Sequence, residues 1–237
     1  MTASLAQPNR NSDTYRHAYG RINGLVVVGE GLADRHFRLL ARAIPEDREE
    51  LERLAAMEGR HARDFVDCGR QAGVPPDLGL ARRLFAPLHA LFLRYDRAGN
   101  RSGCLVIQGL IVECFALAAY RHYLPVADPY SRGVTAAVIA DETEHLSYAE
   151  SWLAQRFTQV QAAVEQCCAM ALPMPMSMLQ TLAGDLRVVG IEPVELLATF
   201  SELFQGSLEL IGFTPSATRR ILIGAAATAA AGSARAI

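Results

Sequence analysis

Hydrophobic residues recur three and four positions apart along almost the whole chain, which is the period of an amphipathic α-helix. No alternating strand pattern continues for more than a few residues, so the predicted fold class is all-α. Prolines, glycines and acidic first turns such as Pro45-Glu46-Asp47 mark the helix boundaries. The predicted long helices cover about 13–43, 45–73, 77–94, 102–123 and 129–156, and the shorter ones about 157–170, 176–189, 192–209 and 215–230.

The chain shows no shift in composition that would mark a domain boundary. We therefore expect a single domain over residues 1–237, a length that suits one large domain. Roughly the last 60 residues are predicted to form helices that flank a main bundle, and Pro173 and Pro175 separate two of them. Residues 1–12 and 231–237 are expected to be flexible.

Composition and charge exclude several classes of protein. Hydrophobic residues make up 51% of the chain, and the net charge of -2 gives no basic footprint for nucleic acid. The longest apolar run, from Cys104 to Tyr120, contains Gln108 and Glu113 and is too short for a transmembrane helix. The first residues lack the apolar core of a signal peptide.

The cysteines are odd in number and show no zinc-ligand spacing. They also lie mostly within helical segments. Reduced thiols and a cytoplasmic location are therefore expected, because structural disulfides are rare in that compartment. Their positions are Cys68, Cys104, Cys114, Cys167 and Cys168.

Two segments place a glutamate three residues before a histidine: Glu58 with His61, and Glu142 with His145. Residues three apart lie on one face of a helix, about 5–6 Å apart at their Cβ atoms, so each pair could bind one metal ion. One pair is weak evidence, because either could instead belong to an exposed polar face.

Two further glutamates, Glu30 and Glu113, lie in apolar segments. Desolvation disfavours an isolated ionised carboxylate there, so each needs a proton, a positive partner or a metal. A protonated or salt-bridged core acid is the alternative for Glu113. The order along the chain repeats, since Glu30 precedes Glu58 by 28 residues and Glu113 precedes Glu142 by 29.

These residues together match the di-metal carboxylate arrangement of ferritin-like helical bundles, in which two helices supply a glutamate each and two supply Glu-x-x-His. Carboxylates and imidazoles without thiolates favour iron, with manganese as the alternative. Four negative charges balance two divalent cations, and two irons would take dioxygen as a shared co-substrate. The predicted ligands are Glu30, Glu58, His61, Glu113, Glu142 and His145.

The sequence resembles the cyanobacterial aldehyde-deformylating oxygenases, also called aldehyde decarbonylases, from about Tyr15 to Phe213. The stretches that carry the resemblance are YRHAYGRIN at 15–23, LERLAAMEGRHARDF at 51–65, CLVIQGLIVECFALAAYRHYLPVADP at 104–129, DETEHLSYAESWL at 141–153, AGD at 183–185 and IGF at 211–213. The metal ligands of that family fall on the same six residues.

The resemblance implies that long-chain fatty aldehydes are converted to alkanes one carbon shorter plus formate at two irons (Fe2+/Fe3+), with dioxygen and external electrons. It also implies a ferredoxin-type protein as the electron donor and an acyl carrier protein reductase that makes the aldehyde. Residues implied to support the metals, with ordinary structural pairing as the alternative, are Tyr120, Asp141, Arg60 and Gln108. Implied tunnel walls, with ordinary core packing as the alternative, are Val27, Phe65, Phe115, Leu117 and Cys68.

Three positions depart from the family pattern: Phe37 replaces a usual tyrosine, Val28 a common acid, and Glu144 an uncharged residue between two ligands. None of them removes a ligand. Two other functions stay open: another di-iron carboxylate oxidase or oxygenase acting on an apolar substrate, and a ferritin-like iron-binding protein. An electron-transfer role of the rubrerythrin kind is disfavoured, because the chain has no CxxC pair.

Overall fold

The computed structural model describes residues 8–234, and these form helices joined by short connections, with no β-strand among them. The all-α prediction is confirmed, and most helix bounds agree with the predicted ones to within a few residues. The helices are α1 (Asp13–Ala43), α2 (Arg48–Gln71), α3 (Leu78–Arg97), α4 (Arg101–Tyr123), α5 (Pro129–Ala154), α6 (Phe157–Ala171), α7 (Pro173–Val188), α8 (Pro193–Ile211) and α9 (Pro215–Ala234).

Polar side chains fix where the two longest helices begin. Ser12 caps α1 by accepting the backbone N–H of Tyr15, and Asp128 caps α5 in the same way. Pro129 occupies the first position of α5. A backbone N–H there would have no acceptor within the helix, so proline costs no hydrogen bond.

The predicted flexible ends are only partly described. Residues 8–12 form a turn in which Arg10 donates to the backbone carbonyl of Val126 at 2.7 Å. At the other end α9 continues to Ala234, four residues beyond the predicted end of the helix. Residues 1–7 and 235–237 lie outside the described residues, so flexibility there stays a prediction.

Two proline positions differ from the prediction. Pro45 begins a single 3-10 turn, Pro45–Asp47, and α2 itself starts at Arg48. Pro173 and Pro175 do not precede α7 but lie in its first turn. Backbone N–H groups in a first turn have no acceptor within the helix, so proline is tolerated there.

Helix α4 is not a regular α-helix throughout. Its middle, Val106–Val112, is a π-helix, with α-helical stretches on either side. Hydrophobic periodicity does not show such a segment, because every residue on it except the half-buried Val112 is buried and no polar face marks the turn. π-Segments inside α-helices are frequent at functional sites.

The bundle places α4 in the interior. Helix α1 packs along α2 and beside α3, α4 contacts α5 and α8, and α7 covers α1. Helix α4 is long and apolar enough to cross a membrane, with a mean hydropathy of 1.9, but 83% of that stretch is buried inside the bundle. It is therefore a core helix, and α7, α8 and α9 flank the bundle as predicted.

Candidate metal centre

Four helices bring the six predicted ligands to one place in the core. Glu30 comes from α1, Glu58 and His61 from α2, Glu113 from α4, and Glu142 and His145 from α5. Each side chain is at most 4% exposed. The alternative that the Glu-x-x-His pairs lie on exposed polar faces is therefore wrong.

The six side chains form two overlapping groups, within each of which one ligand atom per residue lies within 4.8 Å of all the others. The first group adds Glu30 and His61 to Glu58 and Glu142. The second adds Glu113 and His145 to the same two glutamates. Two adjacent sites that share Glu58 and Glu142 could hold two metal ions.

Both imidazoles turn their Nδ1 atoms toward the shared glutamates. His61 Nδ1 lies 3.3 Å from Glu30 Oε2 and 3.5 Å from Glu142 Oε1. His145 Nδ1 lies 2.9 Å from Glu58 Oε1 and 3.1 Å from Glu142 Oε2. Each ring therefore presents one nitrogen to the cluster and turns the other away from it.

Several inward-facing atoms of the cluster lack a hydrogen bond within the described part of the chain. They include Glu30 Oε2, His61 Nδ1 and Glu142 Oε1. Buried polar atoms without partners are costly and call for an ion or a water molecule. Oxygen and imidazole donors that converge without thiolates fit divalent iron or manganese.

Without metals, several groups of the cluster have pKa values far from their usual ones. Burial and the nearby carboxylate of Glu142 raise the pKa of Glu113 to about 8, and burial also raises the pKa of Glu58. Burial alone would lower the pKa of His61, but the surrounding carboxylates outweigh it and raise the value to about 12. The pKa of His145 is raised for the same reason. The metal-free site therefore favours imidazolium rings between carboxylates.

Asp141 contacts a predicted ligand, whereas Arg60 contacts Asp141 rather than a ligand. His61 Nε2 lies 3.0 Å from Asp141 Oδ2, and Arg60 Nη2 donates to the same oxygen at 2.6 Å. A carboxylate on the outer nitrogen of a histidine fixes the tautomer and leaves the inner nitrogen free for a metal. His145 has no such partner, since its Nε2 makes no hydrogen bond to any described residue.

Gln108 and Tyr120 both lie on α4. They hydrogen-bond to Glu113 and Glu30, the two glutamates that do not belong to a Glu-x-x-His pair. Gln108 Nε2 donates to Glu113 Oε1 at 2.8 Å, and the Tyr120 hydroxyl donates to Glu30. Residues five apart point about 140° apart on an α-helix, so Gln108 would not reach Glu113 in regular geometry. The π-segment brings them onto one face, because its hydrogen bonds run between residues five apart.

The three departures from the family pattern lie in different places. Phe37 is fully buried, and its ring centroid lies 5.6 Å from that of His145, whose Nε2 has no partner. Val28 is half-buried and packs against the main core. Glu144 points to the surface and pairs with Arg53 at 3.1 Å. Only Phe37 therefore borders the cluster.

A narrow cavity of about 90 Å³ adjoins the cluster, and its wall includes Glu30, Glu58, Glu113 and Glu142. The rest of the wall is mainly apolar and comes chiefly from α1, α2, α4 and the flanking helices α7 and α8, with Phe85 from α3 and Ser131 from α5. Phe65, Phe115 and Cys68 line it, as the resemblance implied; the other apolar or aromatic lining residues include Ile22, Val26, Ala116, Leu182, Leu186 and Leu196.

Two implied tunnel residues do not line the cavity. Val27 packs instead against the small cluster around Phe65, and Leu117 is buried elsewhere in the core. Their neighbours Val26 and Ala116 face the cavity in their place. Val26 lies four positions before Glu30 along α1, and Ala116 lies three positions after Glu113 along α4, so each is on the same helix face as a predicted ligand.

The fold and the cluster define a class: a ferritin-like helical bundle with a buried carboxylate–histidine site that could hold two metal ions. Residues 12–228 match the family of long-chain fatty aldehyde decarbonylases. The chain is also similar to a solved Synechococcus protein with aldehyde deformylating oxidase activity, at 62% identity and a TM-score of 0.90, over 91% of this chain and 99% of that one. The chain belongs to the long-chain fatty aldehyde decarbonylase family.

Proposed function

We propose that the protein converts long-chain fatty aldehydes to alkanes one carbon shorter and formate, at two iron ions bound by the six-residue cluster. The observation that carries this proposal is the narrow apolar cavity whose wall includes the four glutamates of the cluster. An iron-storage role would not need such a cavity. Family membership and the similar Synechococcus protein support the aldehyde as substrate.

The length of the cavity wall suits a long acyl chain. Lining residues follow one face of α1 from Tyr19 to Glu30, which spans about 16 Å at the rise of an α-helix. A bilayer core of about 30 Å holds two acyl chains end to end, so one chain is about 15 Å long. The apolar tail would lie along α1 and the aldehyde group would meet the carboxylates.

The residues have distinct roles in this proposal. The six ligands would hold iron, with manganese as the alternative metal, and bound iron supplies the redox chemistry of dioxygen. Asp141 orients His61, Gln108 and Tyr120 orient Glu113 and Glu30, and the apolar wall excludes water. The bond between the carbonyl carbon and the alkyl chain breaks, and that carbon leaves in formate with one oxygen atom of dioxygen. External electrons and protons supply the hydrogen that completes the alkane and reduce the other oxygen atom to water.

The reaction needs partners that supply electrons and substrate. A ferredoxin-type protein is proposed as the electron donor, and an acyl carrier protein reductase as the source of the aldehyde. We also propose a cytoplasmic location, where thiols stay reduced. All five cysteines are buried and free in the structure, in keeping with this proposal.

The test is a reaction with purified protein loaded anaerobically with ferrous iron. Octadecanal, dioxygen and a ferredoxin reducing system are added, heptadecane is measured in the extract and formate in solution. Equal amounts of the two products are expected. Glu113→Ala should abolish both, whereas Glu144→Gln, which changes a surface acid on α5, should leave them unchanged.

Bound iron without heptadecane would contradict the proposed activity. Oxygen consumption with a different product from the apolar substrate would then favour another di-iron oxidase. Accumulation of ferric iron far beyond the capacity of one cluster per chain would favour an iron-binding role.

A further inference from the structure

His36 is a buried histidine that the proposed ligand set does not use. It lies on α1, is 2% exposed, and stacks on Phe92 with ring centroids 3.7 Å apart. Burial lowers its pKa to about 3, so the ring is neutral at physiological pH. A neutral imidazole has one donor and one acceptor nitrogen, and both are engaged in this structure.

Hydrogen bonds connect this ring to the metal cluster on one side and toward the surface on the other. His36 Nδ1 lies 2.7 Å from Gln108 Oε1, and Gln108 Nε2 lies 2.8 Å from Glu113 Oε1. On the other side, His36 Nε2 lies 2.8 Å from Nδ1 of the half-buried His89 on α3. The four side chains form one continuous chain of hydrogen bonds, here called the His89–Glu113 chain.

The direction of every bond in this chain follows from the chemistry of its ends. A metal-binding carboxylate only accepts, so the Gln108 amide nitrogen donates to Glu113 and its oxygen faces His36. That oxygen also only accepts, so the proton of His36 is on Nδ1. Nε2 must then accept from His89. All donors therefore point toward Glu113, which places the positive end of each dipole on the carboxylate side.

We propose that His36 and His89 are positioning residues that act through Gln108 to hold Glu113 in the orientation that binds metal. This inference rests on the proposed metal site. Gln108 alone is a flexible amide that could turn by half a rotation and present its oxygen to Glu113. The donor of His36 removes that freedom, because the turned amide would place two donors against each other.

Metal affinity tests the proposal without any need for turnover. Cobalt(II) is titrated into the metal-free protein anaerobically, and the visible ligand-field bands report both occupancy and coordination geometry. His36→Phe keeps the stacking on Phe92 but removes both hydrogen bonds. We expect the cobalt affinity to fall on the order of tenfold, the lower end of the range for groups that support metal ligands, and the bands to shift.

His36→Asn separates positioning from packing. The asparagine amide nitrogen takes the place of Nδ1 and keeps the donor to Gln108, although the ring is lost. We expect this variant to recover most of the affinity and the wild-type spectrum. If His36 only fills space, His36→Asn should be the worse of the two variants, and this order would overturn the proposal.

A double-mutant cycle shows whether His36 acts through Gln108. In a Gln108→Leu background the chain is already cut, so adding His36→Phe should leave cobalt affinity unchanged. Independent losses that add would overturn the proposal. His89→Phe, at a partly exposed position, should give a smaller loss with the same spectral shift, and no change would overturn the part assigned to His89.

His122→Phe is the matched control, since it removes a histidine hydrogen bond of 2.8 Å, to Thr199, that does not reach the cluster. It should leave cobalt affinity at the wild-type value. Wild-type protein that binds no cobalt or ferrous iron would instead overturn the proposed function, and this inference with it. Wild-type binding with no change in His36→Phe would overturn this inference alone.

Discussion

Asp141 shows how a partly exposed residue can control a buried ligand. Its carboxylate is 29% exposed and contacts both the outer nitrogen of His61 and the guanidinium of Arg60. The pKa of Asp141 lies below its usual value: burial raises it, but the hydrogen bonds from His61 and Arg60 outweigh that effect. Asp141 therefore stays ionised and holds the proton of His61 on Nε2.

Replacing Asp141 with alanine should weaken metal binding by about 10- to 100-fold, because His61 loses the partner that fixes its tautomer and ring orientation. Isothermal titration with ferrous iron under anaerobic conditions measures the change. Glu144→Ala is the control, since it removes an acid from the same helix that pairs only at the surface. Equal affinities for the two variants would contradict the role given to Asp141.

Proton release on metal binding follows from the two raised imidazole pKa values. His61, with a pKa of about 12, and His145 are both protonated at pH 7 in the metal-free protein, and a metal ion needs the neutral ring. Binding must therefore expel protons, and the apparent affinity should rise as the pH rises.

An indicator dye in weak buffer at pH 7 measures this release while ferrous iron is added anaerobically. More than one proton per chain is expected, because both rings and the carboxyl of Glu113, whose pKa is about 8, give up protons. His145→Gln should release fewer. An affinity that falls with rising pH would contradict the assignment.

Within helix α4, the π-segment contains Gly109 at a point where a larger residue would clash with α5. A Cβ atom on Gly109 would lie 2.4 Å from the Cβ atom of Ala149 on α5, so the two helices approach at this point as closely as a missing side chain allows. Gly109 lies four residues before Glu113, and Ala149 lies four residues after His145. The contact is therefore about one helical turn from a predicted ligand on each helix.

Gly109→Ala should destabilise the protein by about 1–3 kcal/mol, the usual cost of overpacking, despite the better helix propensity of alanine. Guanidinium denaturation measures the free energy of unfolding. Gly133→Ala is the matched control, because Gly133 is an exposed helical glycine with open space around its Cβ position, and about 0.5–1 kcal/mol of stabilisation is expected there.

Ala149→Gly should partly rescue Gly109→Ala, since it removes the atom that causes the clash. The loss in the double variant should then be smaller than the sum of the two single losses. Additive losses would show that the contact between α4 and α5 does not limit stability.

At the scale of the whole molecule, the cavity depends on helices that are far apart in sequence. Its wall combines α1 with α7 and α8, which pass over α1 and α4. Ile22 lines the cavity eight residues before Glu30, about 12 Å along α1 at the helical rise. A larger side chain there should shorten the cavity without touching the cluster.

Ile22→Phe should lower heptadecane formation from octadecanal much more than alkane formation from a short aldehyde such as heptanal, with iron affinity unchanged. A misplaced substrate can lose on the order of 100-fold in rate. Product analysis by gas chromatography with both aldehydes measures the ratio. His17→Phe adds the same ring on the exposed face of α1 and should leave the ratio unchanged, and an equal loss with both aldehydes would contradict the proposed tail position.

The helices and the cluster were predictable because their signals are local. Helical period, caps and prolines depend on neighbours along the chain, and Glu113 stands out because a carboxylate in an apolar segment is costly. The departures at the helix ends have the same local cause: Pro173 and Pro175 fit a first turn as well as a break, and sequence alone does not choose between them.

The all-α class, the six residues that meet in the core and the family follow from patterns along the chain. The apolar residues that face the cavity, the position of the π-segment in α4 and the contact of His36 with Gln108, 72 positions away, follow from how the helices pack. The physical reason is that these features depend on how helices distant in sequence approach each other. Whether a side chain is buried follows from its position on its own helix. Which residue it contacts depends on how a second helix packs against the first.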